Sequence, residues 1–176
     1  MPVRPSLCQF LLAGLLAVRL TSVAGAAEPV PEYELKAAFL YNFTLFTEWP
    51  DKSDAVLSLC LYGKDSLGKA ADQLEGKSVK GAAVKIRRPD SLTQLRACQV
   101  LFIGASEQPQ LASILEAVKG APVLTVADTA GAARAGVMIN LVLEGQRVTF
   151  DINTAAVRAA GLSVSSKLLR LARAVY

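Results

Sequence analysis

Three short apolar runs and one alternating segment, spaced by helix-sized stretches, constrain this chain more tightly than any other feature. They are AVLSLCLY at 55–62, AVKIR at 83–87, QVLFI at 99–103 and PVLTV at 122–126. Gly63, Pro89 and Gly104 close the first three. A continuous run such as QVLFI leaves no position for water, which is the pattern of a parallel strand covered on both faces. Helices are predicted between the runs at 64–75, ended by Gly76, at 91–97, and at 107–119. In the last of these, Leu111, Ile114, Leu115 and Val118 fall at i, i+3, i+4 and i+7, with Pro109 in the first turn and Gly120 past the end. A short helix is predicted at 129–135. Residues 137–143 and 147–152 alternate in polarity, and Glu144-Gly145-Gln146 joins them as an antiparallel hairpin. Helices at 153–160 and 165–174 complete the chain, with Asn153 and Ser165 as caps. The expected fold is therefore a three-layer α/β sandwich: a mostly parallel sheet, an antiparallel C-terminal hairpin and helices on both faces.

The run 33–50, YELKAAFLYNFTLFTEWP, holds six of the eleven aromatic residues. As a helix it places Leu35, Phe39, Phe43 and Phe46 on one face and Tyr33, Ala37, Leu40 and Tyr41 on another. Packing on a sheet requires one apolar stripe, roughly 100° wide. The second face is either further core or a docking surface, and Leu40 and Tyr41 are its candidate partner-binding residues.

Residues 1–26 have the parts of a secretory leader: Arg4, an apolar core at 7–18, and Ala24-Gly25-Ala26 as a cleavage site. The apolar core is well short of the ~20 residues needed to span a bilayer. A cleaved leader followed by a single domain at 27–176 is expected, with no membrane insertion after cleavage. Loss of Arg4 and Arg19 lowers the net charge from +4 to +2. That balance, without a basic stripe interleaved with aromatics, gives no support for nucleic-acid binding. Cys60 and Cys98 then remain as an even pair in an exported chain, so a disulfide is expected, with two buried free thiols as the alternative. Such a bridge removes roughly 4 kcal/mol of unfolded-chain entropy in the loop-closure model.

Most catalytic chemistry finds no residues to use. The chain has no histidine, which removes Ser-His and Cys-His pairs and histidine-based zinc sites. Carboxylates are scattered singly. Ser166 and Lys167 are adjacent and would point about 100° apart on a helix, so they do not form a dyad. The segment 63–70, GKDSLGKA, follows a strand and matches G-x-x-x-x-G-K, but Ala70 stands where a phosphate loop needs Ser or Thr. No catalytic residue, cofactor or metal is expected. The carboxyl ends of the parallel strands, at Gly63, Gly104, Ser106 and Asp128, form a candidate crevice where open α/β sheets bind ligands. A small-molecule sensor using that crevice is the alternative functional reading.

KAAFLYNFTLFTEWP, CLYG, ACQVLFIGASE, PVLTVAD and the tail GVMINLVLEGQRVTFDINTAAVRAAGLSVSSKLLRLAR together resemble the YfiR family of small bacterial periplasmic proteins. The resemblance runs in order from Tyr33 to about Arg173. It implies a non-enzymatic periplasmic protein that binds the periplasmic sensor domain of an inner-membrane diguanylate cyclase. Repression of that cyclase lowers cyclic di-GMP and biofilm formation. It also implies a homodimer, sequestration by an outer-membrane lipoprotein, and a Cys60–Cys98 bridge at the family's cysteine positions. The second cysteine pair of better-known members is absent from the C-terminal half, so a redox switch that uses it does not carry over. In 161–173, Ser166, Lys167 and Arg170 are expected on the surface as further partner-binding residues.

Overall fold

The computed structural model describes residues 31–50, 55–64, 67–145 and 147–176. The leader read at 1–26 and its cleavage site lie outside them. Among the described residues four helices are α-helical: α1 (Glu32–Phe46), α2 (Leu111–Ala117), α3 (Thr154–Ala159) and α4 (Ser166–Leu171). The strands are β1 (Thr47–Glu48), β2 (Val56–Tyr62), β3 (Ser78–Val79), β4 (Ala82–Arg87), β5 (Val100–Ile103), β6 (Leu124–Ala127), β7 (Ile139–Glu144), β8 (Arg147–Ile152), β9 (Ser163–Val164) and β10 (Ala174–Val175). Eight of them form one sheet in the order β10-β8-β7-β6-β5-β2-β4-β3, while β1 pairs with β9 apart from it. Neighbours from β4 to β7 are parallel, β7 and β8 form the antiparallel hairpin, and β10 returns parallel to β8.

The unbroken apolar runs have a simple cause. Successive strand side chains point to opposite faces, and both faces of this sheet are covered. Leu57, Leu59 and Leu61 of β2, Val100 and Phe102 of β5, and Leu124 and Val126 of β6 enter the core beneath α1, α3 and α4. Their neighbours Cys60, Tyr62, Leu101, Ile103 and Ala127 enter a second core beneath α2. Thr125 also sits inside, where its hydroxyl accepts the Met138 N–H at 3.0 Å.

Several helices differ from expectation. The segment predicted as a helix at 64–75 is a 3-10 stretch, Gly68–Leu74, because Leu67 and Gly68 both have left-handed φ, at 59° and 49°, and no α-helix runs through consecutive residues there. Residues 91–97 likewise form a 3-10 stretch, Leu92–Ala97. Pro109 lacks an N–H, and the chain runs 3-10 over Ala105–Gln110 before α2 begins at Leu111. At 129–135 there are only turns, since Gly131 takes φ +78°. The final helix stops at Leu171, and Ala174–Val175 becomes an edge strand. Both predicted caps form: Asn153 Oδ1 accepts from Ala156 N, and Ser165 Oγ from Leu168 N.

Candidate interaction surface

α1 lies across the first core with a different face inward from the one expected. Lys36, Ala37, Leu40, Phe43 and Thr44 are its buried residues. Phe43 meets Phe150 edge-on at 5.0 Å, and Phe39 lies 5.9 Å and 5.8 Å from those two rings. Phe39 and Phe46 are only half-buried. The buried stripe follows 36-40-43-47, so the two faces read from the sequence are the two flanks of one wide apolar face. This corrects the expectation for Leu40: at 0 % exposure its side chain fills the core and offers nothing to a partner. Tyr41 is half-buried against the turn before β4. Its hydroxyl donates to the Ser78 carbonyl at 2.8 Å, and the Lys77 ammonium stands 5.4 Å from its ring. That turn also holds the end of α1, where Lys80 Nζ donates to the Thr47 carbonyl at 2.7 Å.

The C-terminal end of α1 meets the tail. Thr47 pairs with Val164 and Glu48 with Ser163, Ser165 N–H donates to the Phe46 carbonyl at 2.9 Å, and the Lys167 ammonium stands 5.4 Å from the Phe46 ring. Ser166, Lys167 and Arg170 are exposed, whereas Leu168 of the same helix is buried. Two segments more than a hundred residues apart in sequence thus form one continuous surface. Beyond α4, the tail is pinned to the sheet by Arg173. Its guanidinium donates to both oxygens of the buried Asp151, at 2.8 and 2.6 Å, and to Glu144 at 2.6 Å. The hydrogen bonds it donates to Asp151 and then to Glu144 hold its pKa above the ordinary arginine value.

The four residues of the expected crevice divide into two groups. At the ends of β2 and β5, Ser106 Oγ accepts the Lys64 N–H at 2.9 Å and donates to Glu107 Oε1 at 2.8 Å, and Gly104 N–H donates to the Tyr62 carbonyl. Ser106 and Glu107 press onto Gly63 so closely that a Cβ there would come within 2.7 Å of Ser106 Oγ and 2.8 Å of Glu107 Cγ. Only glycine fits, both for this contact and for its φ of +108°. Ser106 and Glu107 therefore pack directly on Gly63 where β2 and β5 end. The adjoining cleft of about 340 Å³, lined by Gly63, Gly68, Lys69, Asp72 and Arg88, carries an Arg88–Asp72 ion pair at 2.6 Å. Asp128, at the end of β6, belongs to α1 instead: its Oδ2 accepts from Lys36 Nζ at 2.7 Å, and the same ammonium pairs with Glu32 at 2.5 Å.

Lys36 is the residue that sequence reasoning missed. Burial pulls its pKa down, but hydrogen bonds and charge from Asp128 and Glu32 outweigh that and leave it above the ordinary lysine value. Its i,i+4 spacing from Glu32 was visible, but Asp128 is 92 residues away. Cys60 and Cys98 are bridged, with Cα atoms 5.8 Å apart and both residues buried, tying β2 to the entry of β5. Among the described residues no group of acidic and sulfur ligands could hold a metal, and no helix is long and apolar enough to cross a membrane.

Two solved structures share the architecture. One is the ABC domain in complex with L-Trp from Streptococcus pneumonia, with TM-score 0.53, 8 % identity and 82 % of this chain covered. The other is a conserved domain protein from Vibrio cholerae O1 biovar eltor, with TM-score 0.54, 8 % identity and 84 % covered. This chain spans 60 % and 61 % of their respective lengths, and at that identity the likeness shows the fold alone. The family model described as YfiR/HmsC-like matches residues 33–173, a span that takes in α1, the bridged cysteines and the tail that closes on Phe46. With that match over most of its length, the chain belongs to the YfiR/HmsC-like family.

Proposed function

We propose that the protein is a non-enzymatic periplasmic regulator that binds the periplasmic sensor domain of an inner-membrane diguanylate cyclase and holds that cyclase inactive. The observation that carries this reading is the junction of α1 with the tail. The two segments on which the family resemblance rests most heavily, 36–50 and 161–173, meet at Phe46, Ser163 and Ser165 and leave Ser166, Lys167 and Arg170 exposed. Such a shared surface is what protein recognition uses. The leader at 1–26 would deliver the chain at 27–176 to the periplasm, where the oxidising environment suits the Cys60–Cys98 bridge. A homodimer sequestered by an outer-membrane lipoprotein completes the reading.

Deleting the gene is expected to raise cyclic di-GMP and biofilm formation, and restoring it to reverse both. Unchanged cyclic di-GMP in the deletion strain, together with no binding between the purified protein and the cyclase's periplasmic domain, would remove the proposal. Micromolar binding of ATP with magnesium, abolished by Lys69→Ala, would instead point to nucleotide chemistry in the cleft beside Gly63.

A further inference from the structure

α4 presents a face that the fold does not use. Lys167, Arg170 and Leu171 stand at i, i+3 and i+4, so their side chains share one side of the helix, while Leu168 turns into the core. Leu171 is 62 % exposed. Lys167 and Arg170 are exposed and make no ion pair among the described residues. The half-buried ring of Phe46 extends the strip toward α1 beneath the Lys167 ammonium. The surrounding charge is one-sided: residues 153–176 contain Arg158, Lys167, Arg170 and Arg173 and no Asp or Glu. Arg173 is neutralised by Asp151 and Glu144, and the register of the β1–β9 pair places Glu48 opposite Ser163.

We infer that this face receives an acidic amphipathic segment of a protein partner, with carboxylates meeting Lys167 and Arg170 and an apolar side chain resting on Leu171. A second copy of this chain is the poorer occupant, because a two-fold contact pairs a patch with itself and would bring four like charges, two from each copy, into one interface. The inference rests on the protein-binding reading above and names the chemistry of the partner at that site.

Two probes separate the inference from the function it deepens. The first is a synthetic Glu/Leu peptide, with a Lys/Leu peptide as control, titrated into the protein while backbone amide signals are followed by NMR. The acidic peptide is expected to shift the signals of 166–171 and Phe46, and the shifts are expected to vanish in the Lys167→Glu, Arg170→Glu double variant. No shift, shifts centred elsewhere, or equal shifts from the lysine peptide would overturn the inference. The second probe is the purified periplasmic domain of the cyclase. Its affinity is expected to fall with added salt, and by on the order of tenfold in the double variant, whose thermal midpoint and oligomeric state match the parent's. Undiminished binding by the variant would overturn the inference and leave the regulatory reading intact. Binding of the acidic peptide at α4 without any binding of the cyclase domain would do the reverse.

Discussion

At the scale of single residues, Lys36 illustrates how one ammonium can fix the placement of a helix. It is 93 % buried, counted over the whole residue, and bonds to Asp128 from within the first core. Removing that partner leaves the ammonium with Glu32 alone, so Asp128→Asn is expected to cost about 2 kcal/mol in urea unfolding, more than removal of an exposed ion pair. The pH dependence follows from the direction of the shift. A lysine whose pKa is raised in the folded state contributes stability that is fully present below its unfolded value near 10.4 and is lost as pH climbs through the higher folded value. Denaturant midpoints should therefore fall through that alkaline window in the parent protein, and that part of the fall should be missing in Lys36→Met. Phe43 and Tyr41, two residues apart on the same helix, are expected to differ. Phe43→Ala opens a cavity among Phe39, Phe150 and Leu40 and should cost about 3 to 5 kcal/mol. Tyr41→Phe gives up one partly exposed hydrogen bond to Ser78 and should cost about 1 kcal/mol, readable in the same unfolding experiment.

Among elements, the decisive contacts join parts of the chain that no local pattern connects. α1 runs from Asp128, at the carboxyl end of β6, to Lys80, just before β4, and so lies antiparallel to the parallel strands it covers. β1 and β9 then clip its end to the tail with only two residues each. The Ser165 cap sits at this clip, and Ser165→Ala is expected to cost about 1 kcal/mol while weakening the order of α4, seen as faster amide exchange over 166–171. The disulfide acts on a different pair of elements, β2 and the entry of β5. Replacing both cysteines by serine is expected to lower stability by up to roughly 4 kcal/mol yet leave the far-UV signal of the folded protein unchanged at low temperature, since the parallel register of β2 and β5 is also held by the strand ladder. The central strands β2, β5 and β6, four to seven residues long, were legible because burial on both faces makes them almost continuously apolar. The two-residue strands β1, β3, β9 and β10 carry no such signal, because pairing with a distant partner defines them. Helix lengths were overestimated for a related reason: apolar spacing reports which face is buried, but Leu67, Gly68, Pro109 and Gly131 set where an α-helical ladder can run.

For the whole molecule, the sheet separates two cores. One lies under α1, α3 and α4 and supports the surface proposed for partner binding, while the other lies under α2 and contains the disulfide. Reduction of the bridge is therefore expected to loosen the α2 side first, with amide exchange rising over 92–118 before it rises over α1. The amino-acid sequence by itself determined the layered α/β class, the parallel core strands, the hairpin, the two serine and asparagine caps and the cysteine pair, because each depends on periodicity, turn chemistry or residue type within a few positions. It also marked Ser166, Lys167 and Arg170 for the surface, where their charge and hydroxyls are solvated. Only the tertiary structure decided which side of α1 is buried, because that depends on the rotation of a helix whose apolar face is wider than a single stripe. It sent Leu40 inward, gave Asp128 to Lys36 and packed Ser106 and Glu107 onto Gly63. Those outcomes depend on side chains that come within 3 Å of each other only after some forty to ninety residues of intervening chain have folded between them.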